Sequence, residues 1–204
     1  MLALIFDTET TGKANFGKPS VDPVQPKLVQ LGAYLLDLDS GREFAMTDLI
    51  IYPSSWEVPQ EAALIHGISQ ATATRVGVNL DTAVNIFRDL VDVADIVVAH
   101  NIAFDKLIME RASAMVDLAM GNEVGDLFGD KPLICTMKAA TPVVKKRGKR
   151  PMDNQDYKWP KLSECMQHFF NEELEGAHNA IIDCRACARV LVELVDKGHL
   201  TLPN

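Results

Sequence analysis

The chain opens on an unbroken apolar run, Leu2-Ala3-Leu4-Ile5-Phe6, which predicts a strand buried on both faces. Leu28 to Leu38 and Glu43 to Tyr52 read as two more strands, joined at Asp39-Ser40-Gly41, a hairpin turn signal. Pro59 to Ile65 predicts a short helix. Leu80 to Val93 predicts a longer one, because Val84, Phe87 and Val91 recur at helical spacing and Asn79 or Asp81 is available as cap. Asp95 to Ala99 is a short buried strand, and Asn101 is placed to cap a long helix carrying Phe104, Leu107, Ile108, Arg111 and Met115. Pro132 to Met137 reads as the last strand; Lys161 to Phe170 and Ala180 to Asp196 read as two closing helices. Three strands followed by alternating helix and strand imply an α/β fold, a mixed central sheet flanked by helices.

Composition adds few constraints. A chain of 204 residues with 48% hydrophobic content can bury a sizeable core, and residues 1–204 are expected to form a single domain. The opening run lacks a basic leader and enters Asp7 directly, so it is a strand and not a signal peptide. No apolar run is long enough to span a bilayer. Cys184 and Cys187 have the CxxC spacing of a metal or redox site, but neither a second CxxC nor a nearby Cys/His pair completes a zinc site. Cys135, Cys165, Cys184 and Cys187 are therefore expected to be reduced thiols of a cytoplasmic protein.

The chemistry lies in three clusters, Phe6-Asp7-Thr8-Glu9-Thr10-Thr11-Gly12, His100 to Asp105 and Gly176 to Asp183, each following or opening an apolar element. Acids at strand ends and helix starts sit where α/β proteins build their sites. Four carboxylates in one cleft repel and lose hydration unless they are protonated or matched by cations. Hard carboxylate oxygens suit Mg²⁺ or Mn²⁺, and paired ions roughly 3.5 to 4 Å apart are the usual machinery of phosphodiester displacement. Asp7 and Glu9, two apart in an extended segment, can face one ion. Asp105 and Asp183 fall in the first turns of their helices. His178 stands five residues before Asp183, so a continuous helix would turn the two apart; a loop position, with Asn179 as N-cap, is expected. A loop histidine can swing towards the attacking water, and an imidazole with an ordinary pKa of about 6.5 can take its proton at neutral pH.

The three ordered motifs resemble those of the DnaQ-like, or DEDDh, 3′→5′ exonuclease family over residues 5 to 187. The resemblance implies a ribonuclease-H-like fold, two Mg²⁺ ions that Mn²⁺ can replace, and release of 5′-mononucleotides from a free 3′ end. It further implies that Asp7 bridges both ions, that Glu9 and Asp183 complete the inner one, that Asp105 holds the second partly through water, and that His178 is the general base. The tyrosine-type sister class carries Tyr where this chain has Asn179. Ile134 to Lys138, with Asp183-Cys184, looks like exonuclease X and its relatives, a DNA-directed branch. The chain ends eight residues after Asp196, without the extended tail that tethers a proofreading subunit, which favours a stand-alone enzyme; a polymerase partner and the oligomeric state are not readable.

Charge refines the picture of substrate. The formal net charge is −8, yet Lys145 to Lys161 carries a surplus of five positive charges and leaves −13 on the remainder. With Tyr157 and Trp159, this stretch can track phosphates and stack on bases, with Lys145, Lys146 and Arg147 as contacts; the plainer reading is a solvated loop. Pro142, Gly148, Pro151 and Pro160 argue against regular structure there. Thr10 and Thr11 resemble the family's contact to the terminal nucleotide, or form a strand-ending turn. His66 resembles a family segment near the 3′ terminus, or is a helix C-cap. His100 is either part of the second motif's function or a strand-end hydrogen bonder, and Phe104 touches a base or fills the core.

Single-stranded DNA 3′ ends are the favoured substrate, with RNA the alternative. A non-catalytic nucleic-acid-binding or polymerase-accessory module is the competing class, disfavoured because an idle domain has no physical reason to hold repelling carboxylates together.

Overall fold

The computed structural model describes residues 1–147 and 157–203. Its sheet has the order β3-β2-β1-β4-β5, with β1 at Leu2–Thr10, β2 at Leu28–Asp37, β3 at Glu43–Ile50, β4 at Ile96–Ala99 and β5 at Leu133–Cys135. β1 pairs antiparallel with β2 and parallel with β4, β2 pairs antiparallel with β3, and β4 pairs parallel with β5. This is the expected mixed sheet flanked by helices.

Strand alternation divides the core. Leu4 and Phe6 of β1 pack with Val97 against helices α3 (Leu80–Val93) and α4 (Ile102–Ala119), contributed by Phe87, Val91, Ile108 and Met109. The Phe6 ring lies 5.1 Å from Phe87 and 6.0 Å from Phe128 between centroids, inside the range where aromatic pairs attract. On the other face, Ala3, Ile5, Tyr34 and Val98 pack against Cys184, Cys187 and Leu191 of α7 (Ala180–Asp196). A third cluster joins α7 to α5 (Thr136–Val144) and α6 (Leu162–Phe170) through Ala140, Cys165, Met166 and Val190. Two short helices, α1 (Gln60–His66) and α2 (Gln70–Val76), lie between β3 and α3.

Four details differ from the sequence expectations. β1 does not stop at Phe6 but continues through Asp7 and Glu9 to Thr10, because its later residues still find ladder partners on β2. The strand expected over Pro132 to Met137 covers only Leu133–Cys135 and yields at once to α5, which contains Pro142. α2 is not legible from apolar spacing; it is capped by Ser69, whose Oγ accepts the Thr72 N–H at 3.1 Å, and anchored by fully buried Ala73. Asn101 stands before α4 in the left-handed region, φ +76°, and makes no side-chain cap bond, a conformation asparagine tolerates better than most residues.

The cysteines are all free; Cys165, Cys184 and Cys187 are buried, and burial pushes the thiols of the Cys184/Cys187 pair up. Among the described residues no helix is long and apolar enough to cross a membrane.

Candidate active site

Asp7 and Glu9 lie on the face of β1 that also carries Ala3 and Ile5, the face covered by α7. α7 starts at Ala180, so Asp183 falls in its first turn; Asn179 is the N-cap, its Oδ1 accepting the Ile182 N–H at 3.4 Å. His178 precedes the helix, as the rotation argument requires, exposed and with φ +67°. Its backbone N–H donates to Asp183 Oδ2 at 3.0 Å. Asp105 enters from the first turn of α4, 3% exposed, and its Oδ1 accepts both the backbone N–H of Thr8 at 3.0 Å and the Thr8 hydroxyl at 2.8 Å. Thr8 does not stand out from sequence reasoning, although its place between the two acids of the first motif is the available signal.

The four acids feel one another. Burial, then Asp105, Asp183 and Glu9, push the Asp7 carboxyl well up. Burial and the charges of Asp183 and Asp105 push Glu9 up to about 7, and burial, against the opposing bonds from Thr8, pushes Asp105 up to about 7. Asp183 is also raised, first by burial, with the His178 N–H opposing. Ligand atoms of Glu9, His178 and Asp183 lie within 4.8 Å of one another, and Asp183 Oδ1 is buried without a hydrogen-bond partner. Uncompensated hard oxygens, one of them orphaned, fit a divalent cation of the Mg²⁺ class.

A stability prediction follows from these shifts. A carboxyl raised in the fold favours the protonated state, so its contribution is full below the unfolded pKa of about 4 and is lost as pH rises towards 7. In chelator, unfolding free energy is therefore expected to fall between pH 4 and pH 7 by an amount on the order of a few kcal/mol, less from partly exposed Glu9, and the melting temperature to fall with it. Mg²⁺ or Mn²⁺ should restore stability at pH 8 far more than at pH 5. Thermal melts across that range check it; an equal metal effect at both pH values counts against a shared carboxylate site.

The remaining residues fall around this centre. His66 is 8% exposed; its Nδ1 accepts the Ile68 N–H at 3.1 Å, and its Nε2 is buried without a partner. Its pKa is lowered, by burial first and then by His178, against the favourable pull of the Thr10 backbone. The Thr10 hydroxyl donates to the Gly12 carbonyl at 2.6 Å. Thr11 donates its N–H to the Lys27 carbonyl at 3.0 Å and accepts the Lys27 N–H on its hydroxyl at 2.9 Å. Both threonines thus brace a strand-ending turn. Phe104 packs half-buried against the core. His100 is a cross-link: its ring nitrogens lie 3.0 Å from Thr136 Oγ1 and 3.0 Å from the Pro160 carbonyl, and burial pushes it down to about 4.

Lys145, Lys146 and Arg147 follow α5 as exposed residues. Lys146 lies 3.4 Å and Lys158 2.8 Å from Glu164, so α6 neutralises part of the basic surplus. The Lys158 N–H donates to the Lys146 carbonyl at 3.0 Å, closing the two ends of the basic stretch on each other. Its middle, residues 148–156 with Lys149 and Arg150, lies outside the described residues.

Comparison with known proteins extends these findings. A family model described as Exonuclease, RNase_T, matches residues 4–191. No curated protein matches the sequence significantly. Among solved structures, exonuclease I in a study of how processivity is achieved aligns with TM-score 0.73 and 16% identity, over 96% of this chain and 41% of that one. E. coli exonuclease I with a dT13 oligonucleotide aligns with TM-score 0.70 and 17% identity, over 95% and 40%. The zinc-bound E. coli exonuclease I complex with single-stranded DNA gives 0.71 and 16%, over 96% and 40%. At such identities the likeness is one of fold, and the chain spans about two-fifths of the length of these proteins.

Proposed function

The chain belongs to the RNase_T exonuclease family, and on that premise we propose that residues 1–204 form one catalytic domain that removes 5′-mononucleotides from the 3′ end of nucleic acid. The observation that carries this reading is the convergence of Asp7, Glu9, Asp105 and Asp183, from three separate elements, to where each acid's pKa is raised. Asp7, Glu9, Asp105 and Asp183 would hold two Mg²⁺ ions, replaceable by Mn²⁺. When bound, such ions neutralise the scissile phosphate and stabilise charge developing on the leaving oxygen.

The chain's own residues supply the rest. Thr8 fixes one oxygen of Asp105 with two hydrogen bonds, so the other is free to ligate. The Asp183 contact holds the His178 backbone, while the exposed imidazole reaches the neighbourhood of Glu9 and Asp183. There it accepts a proton from the water whose oxygen bonds to phosphorus as the 3′-oxygen of the preceding nucleotide leaves. His66 and the Thr10 to Gly12 turn would border the terminal nucleotide.

Single-stranded DNA is the proposed substrate, supported by the dT13 and single-stranded DNA complexes of the exonuclease I relatives and by the exonuclease X resemblance of Ile134 to Lys138. A cytoplasmic setting agrees with the four free cysteines. The deciding experiment digests 5′-labelled DNA and RNA of one sequence, single- and double-stranded, with Mg²⁺ or with chelator. A ladder shortening from the 3′ end of single-stranded DNA, only with metal, is expected; hydrolysis in chelator, or of a 3′-blocked linear substrate, sinks the proposal.

The basic stretch should hold the strand without activating water. For Lys145, Lys146 and Arg147 replaced together by Ala, affinity for a single-stranded oligonucleotide in Ca²⁺ is expected to fall. The slope of log affinity against log salt should flatten by about 0.7 for each phosphate that is no longer neutralised. Turnover at saturating substrate should change little; unchanged affinity and slope would mark these residues as mere solvated surface.

A further inference from the structure

We propose that Gln30 and Gly32 of β2 are positioning residues that set the distance between the acids of β1 and Asp183 of α7. The inference rests on the exonuclease reading above. In the β1/β2 ladder Asp7 pairs with Gly32 and Glu9 with Gln30, so the two β2 residues stand beside the two β1 acids. The first turn of α7 rests on the same pair. A Cβ on Gly32 would lie 2.5 Å from the Ala180 carbonyl carbon, 2.7 Å from its oxygen and 2.8 Å from the Ile181 nitrogen, all backbone atoms with no flexible end to yield. Gln30, 2% exposed, accepts the Ala180 N–H on Oε1 at 3.3 Å and donates from Nε2 to Asp48 Oδ1 at 2.7 Å.

The entry of α7 is thereby fixed at two points. Gln30 satisfies the N–H of its first residue, a donor that no helix can bond internally, and the bare backbone of Gly32 lets the helix start in contact with the sheet. Asp183 follows three residues after Ala180, its N–H bonded to the Asn179 carbonyl at 3.0 Å, so a shift of the first turn carries the carboxylate and the attached His178 with it. Relieving the Gly32→Ala contact to ordinary separation needs a displacement of about 1 Å, and a misplacement of that size can cost on the order of 10²-fold in rate.

The test measures kcat and KM on a single-stranded 5′-labelled oligonucleotide, and Mn²⁺ affinity by calorimetry, for wild type, Gly32→Ala, Gln30→Met and Gly77→Ala. Gly77 is the matched control: its added Cβ would meet Ala73, Ile51 and Tyr52 backbone atoms at 2.4 to 2.8 Å, an equal insult that does not touch α7. Gly32→Ala is expected to lower kcat on the order of 10²-fold with KM within a few-fold, and to weaken Mn²⁺ binding. Gln30→Met should do the same to a smaller extent. Gly77→Ala should lower the melting temperature yet keep kcat. Near wild-type kcat and Mn²⁺ affinity in Gly32→Ala, or equal kcat losses in Gly32→Ala and Gly77→Ala, overturn the proposal. If Gly32→Ala does not fold, Gln30→Met decides by the same criteria. If the wild type proves inactive, the exonuclease reading fails separately, and the Mn²⁺ affinities still judge the positioning role.

Discussion

Asp7→Ala is expected to reduce turnover to background while raising the melting temperature of the metal-free protein at pH 8. The two effects share one cause. Asp7 sits where the charges of Asp105, Asp183 and Glu9 meet, and its carboxyl is raised by burial and by all three. Without cations this is repulsion that the fold tolerates at a cost, so deleting one charge relieves it, and relief should fade at pH 5 as the neighbours protonate. With cations bound, the same carboxylate would be one of the four proposed to hold them, so its loss should leave the metal site incomplete. Digestion of a labelled strand and melts in chelator at pH 5 and pH 8 check both halves. Turnover within tenfold of wild type removes Asp7 from the centre, and equal melting at pH 8 removes the repulsion.

His178→Ala is expected to lower kcat by roughly 10² to 10⁴, the usual range for a lost general base, with Mn²⁺ affinity little changed. The structure makes this a sharp test, because a ring nitrogen also lies within 4.8 Å of carboxylate oxygens of Glu9 and Asp183, near enough for all three to hold one ion. A base and a ligand lose different things. As a base, His178 gives the wild-type rate an acidic limb that the mutant lacks, and metal titrations superimpose. As a ligand, its removal weakens metal binding and leaves the limb in place at saturating metal. Near wild-type turnover with the limb retained would make His178 a structural residue of the loop.

The parts of the molecule legible from sequence are those set by local patterns. The apolar stripe of Val84, Phe87 and Val91 predicts Leu80 to Val93, and α3 has those ends; α7 likewise runs from Ala180 to Asp196. α2 has no such stripe, since QATATRV buries little beyond Ala73, and its stability comes from a cap and from tertiary packing. α5 is masked by the apolar run before it and by Pro142, which a nine-residue helix accommodates. At the site, acid types and spacing single out Asp7, Glu9, Asp105, His178 and Asp183, and the fold brings the four acids into mutual range. What supports them is non-local. Thr8 meets Asp105 across 97 residues and Gln30 meets Ala180 across 150, pairings that no window of sequence can show. The basic stretch reads as free charge from composition, whereas Lys146 and Lys158 converge on Glu164.

The bond from the Lys158 N–H to the Lys146 carbonyl gives that stretch a narrow neck, held beneath by His100 and its bond to the Pro160 carbonyl. The imidazole, whose pKa is pushed down to about 4, keeps that tie neutral across the working pH range. Lys146, Lys158 and Pro160 are thereby tied to α6 and to the end of β4 through contacts that share no residue with the supports of the four carboxylates.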